Sequence, residues 1–474
     1  MAGETAAPKL SQGATLVRSL GLTAATSINI ANMIGTGVFL KTRVMTCNVG
    51  TPGLVLLVWV AAGLLAFAGA LTYAELSTMR PKAGGEYVYI RDAYGPRWGF
   101  LFGWTQVTIA RTASQAALAV GFSIFLNILT GGALNGVLFT WDLFGHPVPF
   151  GWLQLVALST LAVTTFINCG AVSLGGAVAS TLTVVKVGVV LMVGVGAFWF
   201  AQGDWHHVLL ADTSGACEGV SASARGGMLG FGAAMLGALW AYDGWNNVAP
   251  LSGEVRDPQR TLPRAFLFGT AGVGVLYVFA NLAYYYVLTP TEIANVSASS
   301  SVATEVASRF MGAAAVTLMA AALMVSSFGS LHTSVLAGAR FPYAMARDGL
   351  FFKSLSAISP RTHVPVRALV AQGLWAGVLA LSGSYDMLTD YAIFALWLFY
   401  GLAAASVFVF RRKFPDAERP YRTWGYPVLP ALFLLATAWL IINTIITTPT
   451  QSLIGLALIA LGLPVYSYFR RRPG

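Results

Sequence analysis

Twelve apolar segments follow one another along this 474-residue chain, each of a length that can cross a lipid bilayer, which takes about 17 to 25 residues of helix. They lie near 17–46, 53–79, 97–128, 150–170, 176–201, 226–254, 263–289, 310–343, 364–382, 387–410, 427–447 and 451–469. With 56% hydrophobic and only 10% charged residues, the chain holds more apolar side chains than a water-soluble domain can bury. The expectation is an all-α polytopic membrane protein with 12 transmembrane helices. The gaps are short and leave no room for a soluble domain. The longest outer gap, 202–225, reads as a plain connector. Residues 1–16 are polar and precede a segment too long for the core of a cleavable signal peptide, so a short disordered tail is expected there.

A net charge of +10 in a soluble chain would suggest nucleic acid as a partner. Here the basic residues sit in the short gaps, as the positive-inside rule demands, and nucleic acid is set aside. An even number of spans returns both termini to one side. With the N-terminus inside, the inner gaps hold Arg80, Lys82, Arg91 and Arg97, then Arg256, Arg260 and Arg264, then Arg411, Arg412 and Lys413, whereas the outer segments keep only Lys41, Arg43, Arg225 and Arg309. Both termini are therefore expected in the cytoplasm, and the membrane is expected to be a bacterial inner membrane, where the Asn295–Ser297 glycosylation sequence is without meaning.

Cys47, Cys169 and Cys217 are an odd count without metal-ligand spacing. Cys47 and Cys217 fall on one side and are close enough in topology to pair, but two free thiols is the reading adopted. No metal and no cofactor is expected. HExxH, GxSxG and a Cys/His pair inside a span are all missing, so no catalytic residues are assigned. A channel is disfavoured because no span carries a ring-forming pattern of charge. A nutrient sensor would need a signalling domain or a long tail.

"NMIGTGVF", residues 32–39, places Gly35, Thr36 and Gly37 within the first span. In lipid each unpaired backbone N–H or C=O costs several kcal/mol, so irregular backbone survives only against protein or a water-filled cavity. One reading is that the glycines let another helix pack closely. The other is a helix broken at the midplane. "LWAYDGWNNVAP", residues 239–250, favours the second, because Asp243, Gly244, Asn246, Asn247 and Pro250 interrupt the sixth span. Two broken spans, five spans apart, mark an inverted repeat with a binding site where they meet. The expected organisation is a first repeat at 17–201, an inverted repeat at 226–410, and two added spans at 427–469.

The half-helix after Gly37 aims free N–H groups and a positive dipole end into the gap, which suits a carboxylate. Opposing helix ends offer carbonyls, which suit an ammonium group. An α-amino acid answers both. Ile34, Gly35, Thr36 and Gly37 are the expected carboxylate-binding segment, and Trp240, Ala241 and Tyr242 are expected to face the ammonium and the side chain.

At these residues the chain resembles the amino acid, polyamine and organocation superfamily and, within it, the L-type amino-acid transporters. The resemblance also covers "GALTYAELSTMRPKAGGEYVYIRDAYGP" (69–96), "WTQVTIARTASQA" (104–116) and "SSFGSLHTSVLAGARFPYAMARDG" (326–349). It implies a fold of five-plus-five inverted repeats and sodium-independent movement of amino acids, usually as exchange; proton-coupled uptake is the alternative, kept open by the ionisable Lys186 within a span. It further implies that Trp240 is a gating aromatic. His332 stands where the family more often has Asn. Heteromeric members carry a heavy-chain-linking cysteine in the loop between spans three and four, and residues 129–149 have none. No heavy-chain subunit is expected.

Ionisable residues within spans are candidates for function. Glu75 is expected to pair with arginines of the inner loops. Lys186 either snorkels to the surface or, as the family's lysine in this helix implies, stands where sodium-coupled relatives hold sodium and braces the broken first helix. Arg111 either braces helices through carbonyls or meets substrate. Asp243 either caps a half-helix starting near Trp245 or faces the pocket, where the resemblance implies acceptance of cationic amino acids.

Overall fold

A computed structural model describes residues 15–143, 146–211, 215–297, 300–381, 385–447 and 449–471. The expected tail lies almost wholly outside the described residues. The chain opens with α1 (Leu22–Met33) and α2 (Gly37–Val49), the two halves of the first span, followed by α3 (Pro52–Met79), α4 (Glu86–Tyr94) and α5 (Pro96–Thr105). A π-helical turn, Gln106–Ala110, joins α5 to α6 (Arg111–Leu129). A hairpin of β1 (Val137–Leu143) and β2 (His146–Gly151) then precedes α7 (Trp152–Asn168) and α8 (Val172–Phe200). This hairpin and a lone bridge between Leu20 and Val255 are the departures from an all-α reading among the described residues.

The second half runs through α9 (Gly227–Tyr242), α10 (Pro258–Val287), α11 (Pro290–Asn295), α12 (Val302–Met311) and α13 (Ala314–Gly338). It ends with α14 (Arg340–Arg347), α15 (Val366–Leu381), α16 (Tyr385–Lys413), α17 (Val428–Thr447), α18 (Pro449–Ala460) and α19 (Gly462–Arg471). Eight described helices are long and apolar enough to cross a membrane, and α7, α9 and α15 are shorter apolar helices. With the α1–α2 pair they match the twelve expected positions.

Helix borders follow from local chemistry. Proline begins α3, α5, α10 and α11, where its missing N–H costs nothing. Thr51 caps α3, and Thr289 with Glu292 forms a capping box on α11. Outward faces such as Phe166, Trp199, Phe200 and Val275 are apolar and exposed, as contact with lipid requires.

The two ends of the bundle are held differently. On the side of the N-terminal segment, Ser19 and Leu20 donate their N–H groups to Glu254 O, and a fully buried Arg340 makes a bidentate pair with Glu254, Nε to Oε1 at 2.8 Å and Nη2 to Oε2 at 2.7 Å. Glu75 pairs with Arg411 at 2.8 Å and Arg419 at 3.8 Å, as the sequence reading expected. Arg91 and the Tyr87 hydroxyl both hold Asp348.

At the opposite end, Cys47 and Cys217 form a disulfide, which corrects the expectation of free thiols, and Cys169 is the free cysteine. Segment 202–225 is more than a connector. Arg43 donates to Glu218 O at 2.7 Å, Asn48 Nδ2 to Ala224 O at 2.6 Å, and Gly226 N to Asn48 O at 2.7 Å, so the loop is clamped on the end of α2.

Candidate functional site

The first span breaks where α1 ends at Met33 and α2 begins at Gly37. Ile34 leaves the helical region with φ −74° and ψ 78°, and Gly35 N turns back to Met33 O at 2.7 Å. Among the described residues, the N–H groups of Thr36, Gly37 and Val38 meet no backbone carbonyl, and the Thr36 hydroxyl is buried without a partner. These are the orphan donors that every helix start leaves, together with its positive dipole end.

The second break faces the first. A Cβ on Gly37 would lie 2.5 Å from Ala241 Cβ, so glycine here lets the two broken helices touch, whereas at Gly35 a Cβ would meet Ser330 Oγ at an ordinary 3.6 Å. Tyr277 on α10 ties the two ends together, its hydroxyl lying 2.6 Å from Met33 O and 2.9 Å from Ala241 O. After Tyr242 the chain makes turns through Val248, then a 3-10 helix, Ala249–Glu254. The α-helical half expected to start near Trp245 does not form, and Asp243 caps none. Gly244 has φ +101°, a conformation suited to glycine, and sits against Asn32.

Between the breaks lies a cavity of about 50 Å³. Six expected residues line it: Gly35, Thr36, Gly37, Trp240, Ala241 and Asp243. Ile34 and Tyr242 do not. Ile34 is fully buried, and Tyr242 turns its hydroxyl to Trp59 O at 3.2 Å. The cavity is smaller than an amino acid, so entry requires its walls to part. Lys41 Nζ stands 4.8 Å over the Trp240 ring.

Ser114 and Leu118 of α6 and Ser330 of α13 also line the cavity and went unread in the sequence. Their helices are continuous, with no local irregularity to mark which face turns inward. The π-helical turn just before Arg111 is such a mark in the structure.

Lys186 does not snorkel. Its ammonium is buried and donates to Ala31 O at 2.5 Å and Ser330 Oγ at 2.8 Å, while Ser330 Oγ also donates to Ala31 O at 3.0 Å. The lysine therefore fastens the end of α1 to α13, and the missing side chain of Gly329 makes space for it. Ser326 completes the clamp, donating to Ile34 O at 2.8 Å. His332 lies away from the cavity, between Asn168 and Gly175 O at 3.1 and 3.0 Å.

A second polar cluster surrounds the second break. Asp243 Oδ1 accepts from the Tyr400 hydroxyl at 2.8 Å, and Arg111 donates to Asn247 Oδ1 at 3.0 Å. Asn246 Nδ2 donates to Glu86 Oε1 at 2.5 Å. Burial pushes the Glu86 carboxyl up to about 7, against the opposing pulls of its own backbone N–H, Arg111 and Asn246. No group of three or more metal-ligating side chains occurs among the described residues.

The sequence profile of the amino acid permeases matches residues 20–464, nearly the whole chain. The serine/threonine exchanger SteT of Bacillus subtilis is 32% identical over 463 residues, spanning 96% of this chain and 98% of that protein. The b(0,+)-type amino acid transporter 1 of Homo sapiens is 31% identical over 459 residues, 96% of this chain and 88% of its own length. The large neutral amino acids transporter small subunit 2 of Homo sapiens is 30% identical over 465 residues, 97% and 82%. This chain, with two broken helices meeting at a closed cavity, belongs to the amino acid permease family.

Proposed function

We propose that the protein is a sodium-independent exchanger of neutral and, through Asp243, cationic L-amino acids, working in a bacterial inner membrane with both termini in the cytoplasm and without a heavy chain. The observation that carries this reading is the pair of facing helix ends: unpaired N–H groups at Thr36 to Val38 for the carboxylate, and the carbonyls of Trp240 and Ala241, which accept one bond each from Asp243 N and the Tyr277 hydroxyl and keep a second lone pair for the ammonium. Relatives named as an exchanger and as amino acid transporters support it, and none of those names denotes catalysis. Lys186 supports sodium independence, since its Nζ already donates into the carbonyl end of α1 that a cation would seek. The five-plus-five inverted repeat is supported by the positions of the two breaks.

In the cycle, the substrate carboxylate accepts from the N–H groups and the Thr36 hydroxyl, and Trp240 covers the side chain. Asp243, at the cavity wall, attracts a second positive charge where the substrate has one. The small-subunit relative is a reminder that a partner chain exists for some members. The loop between α6 and α7 has no cysteine to link one here, and the described outer cysteines are paired with each other.

The test is uptake of labelled leucine, alanine and arginine into sodium-free proteoliposomes with and without unlabelled amino acid inside. Uptake that depends on internal amino acid supports exchange. Uptake into empty vesicles that grows when the outside is acidified identifies a proton symporter instead.

A further inference from the structure

Glu86 is the buried carboxylate that the exchange reading leaves without a task. It begins α4, between two spans, and is 1% exposed. The charged and titratable groups that face it are Arg111 of α6, Asp243 of the second break, Tyr73 of α3, Tyr89 of its own helix and Tyr400 of α16, with Asn246 of the second break bonded to it. Arg111 is the one cation in this set. Among the described residues it forms no ion pair with either carboxylate, its guanidinium being engaged by Asn247. Two ionised carboxylates around one cation would leave an uncompensated buried charge, which is costly.

The hydrogen bonding shows how that charge is avoided. Asn246 Nδ2 donates to Glu86 Oε1, while Glu86 Oε2 and Asn246 Oδ1 are both buried without a partner. Both orphans are acceptors when Glu86 is ionised, and an acceptor cannot satisfy an acceptor. A proton on Oε2 turns it into a donor, and its natural acceptor is Oδ1 of the same amide that already holds Oε1. One proton on Oε2 therefore supplies the donor that two buried, unpartnered acceptors lack.

We propose that Glu86 is a proton-binding site that controls opening of the transporter on the side of the N-terminal segment. In the closed conformation Glu86 is neutral and paired with Asn246. When that side opens, water reaches the pair, the Oε2 proton passes to water, and the carboxylate left behind is stabilised by water and by Arg111. A proton bound more tightly in the closed state must in turn favour the closed state, so acid holds the gate shut and alkali releases it. Asp243 shares the break with Asn246, so the proton acts on the same element that lines the substrate cavity.

This inference rests on the transport reading, and two measurements separate their failures. The first is counterflow in proteoliposomes with the same pH on both faces. Native protein is expected to speed up with pH by roughly tenfold per unit below a single inflection and then level off, as one titrating group requires. Glu86→Gln, uncharged at every pH, is expected to be slow with a flat profile, and Glu86→Asp to restore an inflection. A Glu86→Gln profile that follows the native one overturns the proposal. The second is the infrared difference spectrum of purified protein between acid and alkaline pH, with no substrate present. A protonated-carboxyl band that Glu86→Gln removes supports the site, and its presence unchanged in that variant overturns it. If no vesicle transports amino acid at any pH, the transport reading fails while the infrared band still decides Glu86.

Discussion

At the first break three residues leave the helix, and the groups left over are backbone N–H groups and one hydroxyl. At the second, six residues leave it, and beside the backbone N–H groups of Trp245 and Asn246 the loose ends include side-chain atoms: Asn246 Oδ1, Trp245 Nε1 and, across from them, Glu86 Oε2 and Arg111 Nε. A backbone N–H has the same charge at every pH and in every variant, so the first break suits the part common to all amino acids. Side chains can be exchanged by mutation and can titrate, so selectivity and pH response belong to the second. The supports differ in the same way. Lys186, Ser326 and Ser330 hold carbonyls of the first break, whereas the second ends in the buried Glu254–Arg340 pair.

The largest effect is expected where the second break is anchored. Glu254→Ala leaves the Arg340 guanidinium buried and unpaired, a loss of about 3–5 kcal/mol. Thermal unfolding in detergent is expected to fall sharply, and the double replacement Glu254→Leu with Arg340→Met to recover most of it. A single variant as stable as the native chain would show that the pair does not anchor the break.

Next comes the anchor of the first break. Lys186→Ala removes two hydrogen bonds from a charged donor, and counterflow is expected to drop more than about tenfold while the protein still purifies as a folded species. Near-normal transport by this variant would remove the bracing role. A finer contrast lies within the break itself. Gly37→Ala drives a methyl group into Ala241 and is expected to reduce counterflow by about tenfold, while Gly35→Ala stays within about twofold, because overpacking costs energy only where no space exists. Equal effects would mean that the breaks do not touch there.

The smallest effect is one of ratio. Asp243→Gly is expected to lower arginine uptake several-fold relative to leucine uptake, measured side by side in loaded vesicles. An unchanged ratio would remove Asp243 from the choice of substrate and leave it only its bond to Tyr400.

Both breaks were legible in the sequence because each violates a rule of helices in lipid: Gly35-Thr36-Gly37 by weak helix propensity, and Asp243 to Pro250 by polarity. Lys186 was legible because a lone ammonium amid "TVVKVGVV" has no local partner. Its target, Ala31 O, was not, since that depends on how α8 and α13 approach α1. Ser114, Leu118 and Ser330 were hidden for the same reason: a continuous apolar helix does not declare which face looks inward. Tyr242 was expected in the pocket from its place beside Ala241, but helical rotation of about 100° per residue turns it towards α3. The Cys47–Cys217 bond joins residues 170 apart in sequence and needs the clamped 202–225 loop to bring them together.

The central claim is that one site grips both charged groups of an amino acid between two helix ends. It is tested most directly by competition in sodium-free counterflow, using labelled alanine against free alanine, alanine amide and N-acetylalanine. The account predicts that free alanine competes and that masking either the carboxylate or the ammonium abolishes competition. Competition by the amide as strong as by free alanine would contradict it, because the unpaired N–H groups at Thr36 to Val38 would then have no carboxylate to hold.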